Sequence, residues 1–141
     1  MDPFVLLLIS HVLGDGLITS SRLAELKRNN RLSYRIAAIA GHTGPHAVFA
    51  AALLLLVGGH WLKAAILVFS LHLFIDFTRC QLEMRVFGAG GLNFQETMAY
   101  FLGIRNDNRK PSKSKIRTWV LSNILDQGAH LVSLYGISLL V

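Results

Sequence analysis

The sequence predicts an all-α integral membrane protein: a four-helix bundle with a short amphipathic interfacial helix in a cytoplasmic loop. Of its 141 residues, 52% are hydrophobic and 16% are charged, whereas a soluble domain carries about 25% charged residues. The mean hydropathy is +0.47. Of the 14 Lys and Arg residues, all except Lys63 lie in two blocks, residues 22–35 and 79–117. Few charged side chains therefore remain to cover a water-exposed surface.

Four apolar segments supply the predicted membrane-spanning helices. They cover residues 3–20, 36–59, 61–79 and 118–141, and each is close to the ~20 residues that a helix needs to cross a bilayer. A cleaved signal peptide is the alternative for the first segment. It is disfavoured because residues 1–3 carry no Lys or Arg and because His11 and Asp15 interrupt the apolar run. We therefore predict one transmembrane domain over residues 1–141.

The two basic blocks predict the topology, because short loops rich in Lys and Arg stay on the cytoplasmic side of a membrane. Both blocks fall on one side of the four-span arrangement, with the turn at residues 58–61 and both termini on the other. We expect a multi-pass protein of the inner (cytoplasmic) membrane with its basic loops in the cytoplasm. The basic run at residues 109–115 resembles a nucleic-acid contact, but anionic lipid head groups explain it more simply. The expected partner is the lipid bilayer, and nucleic acid is not expected.

The interfacial helix is predicted from the region between the third and fourth spans. Residues 88–91 form a glycine-rich break, and Asn93 and Glu96 have the spacing of a helix-capping box. Apolar residues follow at the spacing of one helical face: Phe94, Met98, Phe101 and Leu102. A helix of this kind lies on the membrane surface.

Polar side chains inside the spans are the candidates for function. A charged residue at the centre of a membrane helix costs roughly 2.5–3.5 kcal/mol, so intramembrane carboxylates need compensation. Asp15, Asp76 and Asp126 each have a histidine four residues away, and the second span holds two histidines four residues apart. Random placement would pair all three aspartates in this way with a probability of ~0.0006. The histidines are His11, His42, His46, His72 and His130.

A spacing of four places both members of each pair on one helical face, so each of the four helices offers two groups of the kind that bind metals. Most of these eight residues are predicted to lie at similar depth, within a layer about 10 Å thick at ~1.5 Å per residue. They are therefore able to converge, as the ligands of helical-bundle metal sites do. Pro45 lies between the two histidines of the second span and is expected to kink the helix there, which changes the direction in which their side chains point.

Five histidines and three carboxylates are too many ligands for one ion, so we expect two divalent ions with three or four ligands each. The predicted ligands are His11, Asp15, His42, His46, His72, Asp76, Asp126 and His130. Nitrogen and oxygen ligands suit zinc, manganese or iron, and zinc is our first expectation. The one cysteine, Cys80, excludes a multi-cysteine zinc site. A single His–Asp pair would instead indicate a structural hydrogen bond or a proton relay.

The segments that carry these pairs resemble the signature segments of the DUF3307 family of small bacterial membrane proteins. They are residues 11–15 (HVLGD), 41–46 (GHTGPH), 72–77 (HLFIDF) and 126–130 (DQGAH). They are also similar to the YdjM-like predicted membrane-bound metal-dependent hydrolases, and in ligand spacing to the all-helical zinc phospholipase C and nuclease fold. The resemblance implies a metal-dependent hydrolase, and the spacing analogy favours phosphoester hydrolysis.

The leading hypothesis is a membrane-embedded, dinuclear metal-dependent hydrolase that acts on a phosphoester or similar bond of a lipid or membrane-associated substrate. Asp15, Asp76 and Asp126 are the candidate catalytic residues, with one of them serving as general base. Gln127 and Glu96 are weaker candidates for contact with the ligands or the substrate. The alternatives are a metal or proton transporter, in which the same groups line a pathway, and a di-iron membrane oxidoreductase. The oligomeric state and the particular substrate are left open.

Overall fold

The computed structural model describes residues 1–18, 20–87 and 113–141 of the chain. These residues form five helices and contain no β-strand, which confirms the all-α prediction. The helices are α1 (Pro3–Ile18), α2 (Ser21–Leu26), α3 (Leu32–Leu56), α4 (Trp61–Phe87) and α5 (Lys113–Ser138). The predicted interfacial helix at residues 93–102, together with Glu96, lies outside the described residues.

The four long helices correspond to the four predicted spans, with shifted ends. Helix α1 ends at Ile18, whereas α4 continues to Phe87, well beyond the predicted end of the third span. By length and composition, two of the described helices, α3 and α4, are apolar enough to cross a membrane, and α1 is apolar but shorter. Helix α5, which corresponds to the fourth predicted span, is not among these apolar helices. Helix α3 continues through Pro45 without ending there.

Helix α2 is a short element that the sequence analysis did not predict. It begins where the side chain of Ser20 accepts a hydrogen bond from the backbone N–H of Leu23 at 3.2 Å, which satisfies one of the free N–H groups of a helix N-terminus. Helix α2 packs against α3. The residues that follow it, Lys27 and Arg28, donate to carboxylates of α4.

The long helices pack in a ring, with α3 between α1 and α4, and α5 between α4 and α1. A tight turn reverses the chain between α3 and α4. Gly58 adopts a φ of +75° there, a left-handed conformation that favours glycine. The N–H of Gly59 donates to the carbonyl of Leu54 at 2.9 Å, which caps the end of α3.

An apolar core fills one end of the bundle. All four long helices contribute to it, through Leu6, Leu7, Ala47, Ala50, Leu54, Ala64, Val68, Leu134 and Ile137. On each helix the predicted metal-binding pair lies beside the core residues, on the side nearer to the basic blocks. The bundle thus has an apolar layer at one end and a polar layer beside it.

Candidate metal centre

The polar layer is built from stripes of inward-facing residues spaced alternately four and three apart. On α4 the stripe is His72, Asp76, Arg79 and Glu83, and on α5 it is Trp119, Asn123, Asp126 and His130. The spacing averages about 3.7 residues, close to the 3.6 residues of a helical turn. Each stripe therefore stays on one face of its helix, at the seam where neighbouring helices pack. The seam that is normally apolar in a helical bundle is therefore polar in this part of the protein.

All eight predicted ligand residues meet in this layer. The five imidazoles are buried and lie against one another. The ring centroids of His46 and His72, and those of His72 and His130, are 4.1 Å apart. His11 lies 4.9 Å from His130, and His42 lies 4.9 Å from His46. His72 is the centre of the cluster.

Asp15 is surrounded by imidazoles. Its Oδ1 lies 3.4 Å from Nε2 of His42 and 3.5 Å from Nε2 of His46, and its Oδ2 lies 3.5 Å from Nε2 of His11. Asp15, His42, His46 and His72, hereafter the Asp15 group, each offer one ligand atom, and these atoms all lie within 4.8 Å of one another. Among the described side chains, no Lys or Arg forms an ion pair with Asp15.

Asp76 and Asp126 each face a histidine with one oxygen and a basic side chain with the other. Their Oδ1 atoms lie 3.5 and 3.7 Å from Nε2 of His130. Oδ2 of Asp76 accepts from Lys27 at 2.7 Å, and Oδ2 of Asp126 accepts from Arg79 at 2.6 Å. Asp76, Asp126 and His130 form a second set of three ligand atoms within 4.8 Å, hereafter the Asp126 group.

The shortest histidine–carboxylate distances in both groups fit a bound ion better than direct hydrogen bonds. Nitrogen–oxygen hydrogen bonds are about 2.7–3.2 Å long, whereas the pairs above are 3.4–3.7 Å apart. Two ligands that each lie ~2.0–2.1 Å from a tetrahedral ion are about 3.3–3.4 Å apart. Nε2 of His46, Nε2 of His72 and Oδ1 of Asp126 are fully buried and make no hydrogen bond. Native proteins rarely leave such atoms without a partner, so the residues fit divalent ions.

Two other residues considered in the sequence analysis differ in position. Gln127 is exposed at the edge of the cluster, with its Oε1 3.3 Å from Nε2 of His11 and its Nε2 3.4 Å from Oδ2 of Asp126. It therefore contacts two of the candidate ligands. His60, which the sequence analysis left out for want of a partner, is exposed in the turn between α3 and α4.

The basic side chains that enter the cluster were not predicted as part of the site, because they belong to the two basic blocks that were interpreted as a topology signal. Arg79 donates to Asp126, to Oε1 of Glu83 at 2.9 Å and to Asn123 at 2.7 Å. Arg28 donates to Oε2 of Glu83 at 2.8 and 3.1 Å. The alternating spacing of four and three along α4 was the signal that could have found Arg79 and Glu83.

A cavity of about 510 Å³ opens beside the cluster. Its lining includes members of both ligand groups, and also Lys27, Arg28, Arg79, Glu83, Asn123 and Gln127. This volume is within the range of roughly 300–1,000 Å³ that small-molecule sites occupy. The apolar core contributes no residue to it.

The close approach of α1 to α3 depends on Gly14, because a Cβ atom at this position would overlap the ring of His46. We expect Gly14→Ala to lower the free energy of unfolding by about 1–3 kcal/mol, as overpacking of a core does. Gly16→Ala is the matched control, since a Cβ at Gly16 meets nothing within 4 Å. Denaturation of the two variants in detergent measures the difference. Equal stability of the two variants would show that the ring of His46 moves aside freely.

Fold and site define a class: helical proteins with a buried His–Asp cluster at the seam of four helices. The chain belongs to the DUF3307 family, described as a protein of unknown function, whose model matches residues 4–141. No curated protein and no solved structure matches the chain. The family prediction is therefore confirmed, and the similarity to YdjM-like hydrolases stays a prediction.

Proposed function

We propose that the protein is a membrane-embedded, metal-dependent hydrolase with two divalent ions, zinc first, that acts on a phosphoester or similar bond of a lipid or membrane-associated substrate. The observation that carries the proposal is the Asp15 group. It combines a carboxylate from α1 with two imidazoles from α3 and one from α4. Buried nitrogens in this group make no hydrogen bond. Neutral imidazoles do not neutralise a carboxylate, whereas a divalent cation does.

The distribution of polar and apolar side chains supports a membrane location. Large apolar side chains are exposed on all four long helices, among them Leu17, Leu56, Phe74 and Val132, and the exposed fraction reaches 82% at Leu56. The interior instead buries histidine, aspartate, arginine and glutamate. Such an arrangement is unfavourable in water but suits a bilayer, where the lipid covers the apolar surface. We propose an inner-membrane, multi-pass protein with the basic blocks in the cytoplasm.

Each of the two groups of proposed ligands binds one of the two ions. The Asp15 group holds one ion and the Asp126 group holds the other, with His11 between them through its contacts with His72 and His130. Bound divalent ions supply Lewis acidity that polarises a phosphoryl or carbonyl oxygen. Asp15 has the most exposed carboxylate of the three aspartates, at 36%. With its Oδ1 on the side of His42 and His46, where the first ion would be held, its Oδ2 would be the carboxylate oxygen best placed to take a proton from water as general base.

The position of the cavity favours a hydrolase over a transporter. The cavity is lined by the polar layer and by the basic residues beyond it, while the apolar core fills the opposite end of the bundle. An ion or proton pathway needs polar groups through the whole membrane. A pocket closed at one end instead suits a substrate that enters and leaves by the same opening.

Elemental analysis of the detergent-purified protein tests the proposal. We expect about two divalent ions per chain and metal-dependent release of phosphate from phosphatidic acid or a soluble phosphomonoester. Chelation should abolish hydrolysis, and zinc or manganese should restore it. Retention of less than one ion per chain would contradict the metal centre. Two iron ions with a redox-dependent absorption spectrum would favour the oxidoreductase instead.

A further inference from the structure

Three basic side chains line the cavity beside the cluster. They differ in how many of their N–H groups already donate to acceptors in the protein. The guanidinium groups of Arg28 and Arg79 are each held by several acceptors, with Glu83 common to both. Lys27 donates to Oδ2 of Asp76 alone among the described residues. An ammonium group has three donors, so Lys27 retains two N–H groups for a ligand.

The position of Lys27 places these donors where a substrate would meet the proposed metal-binding residues. Its side chain is 17% exposed, compared with 6% for that of Asp76 beneath it. It follows α2 directly and lines the cavity. A molecule in the cavity can therefore touch Lys27 and the Asp126 group together.

The net charge of the cavity lining indicates the sign of the charge on its ligand. Four carboxylates line it, namely Asp15, Asp76, Glu83 and Asp126, together with the three basic side chains. With neutral histidines the lining therefore carries one net negative charge, and two divalent ions change this to three net positive charges. Only the metal-loaded cavity attracts an anion strongly.

We infer that Lys27 binds a phosphate group of the substrate, in the form of a phosphomonoester or diphosphate, next to the two ions; this inference rests on the proposed function. A phosphate group has enough terminal oxygens to face both ions and still accept from the ammonium of Lys27. A carboxylate has only two oxygens, so it cannot contact both ions and the ammonium group of Lys27 at the same time. Charge-assisted hydrogen bonds of this kind are among the stronger polar interactions.

Titration calorimetry with inorganic phosphate tests the inference on the full, metal-loaded chain in detergent. We expect Lys27→Gln to bind phosphate at least about tenfold more weakly than the wild type, with unchanged metal content, because Lys27 is not a candidate ligand of either ion. Lys27→Arg keeps the charge and should restore most of the affinity. Lys63→Gln is the matched control, since Lys63 lies at the other end of the bundle and donates to the carbonyl of Leu140.

The outcomes separate the subsite from the metal centre. A wild type without metal overturns the metal centre and the subsite together. A metal-loaded wild type that does not bind phosphate, or a Lys27→Gln variant that binds it as the wild type does, overturns the subsite alone. Displacement of phosphate by phosphatidic acid, but not by phosphatidylcholine, supports a lipid source for the phosphate group. Tight binding of phosphate without displacement supports a water-soluble source.

Discussion

Replacement of His46 by alanine is expected to remove one of the two bound ions. His46 is fully buried and belongs to the Asp15 group but not to the Asp126 group. Without its Nε2, the first ion loses one of its four candidate protein ligands, and the space left by the ring no longer holds the other three at the positions that the packed imidazoles impose. Asp126→Asn should remove the other ion, and the double variant should retain neither. Elemental analysis after gel filtration measures these stoichiometries.

The loss of an ion should also lower stability. The ion binds the folded chain and not the unfolded chain, so its binding free energy adds to the free energy of unfolding. Structural zinc sites contribute roughly 10–16 kcal/mol in this way, and even a small part of this would shift the unfolding transition strongly. His60→Ala is the matched control, since His60 is exposed and outside the cluster. If the His46→Ala variant folds, as judged by circular dichroism, and still retains two ions, the assignment of the Asp15 group is wrong.

The sequence could predict the helices and the candidate site because both follow from local spacing. A histidine and an aspartate four residues apart share a helical face whatever the helix packs against. Since the four pairs lie at the same depth, antiparallel packing of the helices brings them together. The structure places all eight residues in one cluster.

The sequence could not predict the partners of the carboxylates, because these depend on contacts between distant segments. Lys27 is 49 residues from Asp76, and Arg79 is 47 residues from Asp126. Basic residues at the ends of spans are usually explained by membrane topology. Only the position of α2 over α3, and the continuation of α4 beyond Arg79, place them inside the bundle.

The ion pair between Arg79 and Asp126 predicts a stability effect that depends on metal. Arg79→Met leaves the carboxylates of Asp126 and Glu83 buried without this cation, and the removal of one partner from a buried pair costs about 3–5 kcal/mol. We expect this cost in full in the chelated protein. In the metal-loaded protein it should be smaller, because an ion held by Oδ1 of Asp126 compensates part of the negative charge.

Denaturation of the chelated and the loaded protein, each as wild type and as Arg79→Met, measures this coupling. Arg85→Met is the matched control, since Arg85 is an exposed arginine on the same helix. Arg79→Lys should recover part of the stability through its remaining positive charge. The two costs differ only if the ion and the guanidinium act on the same carboxylate. An equal loss of stability with and without metal would therefore mean that Asp126 is held by Arg79 alone and is not a ligand.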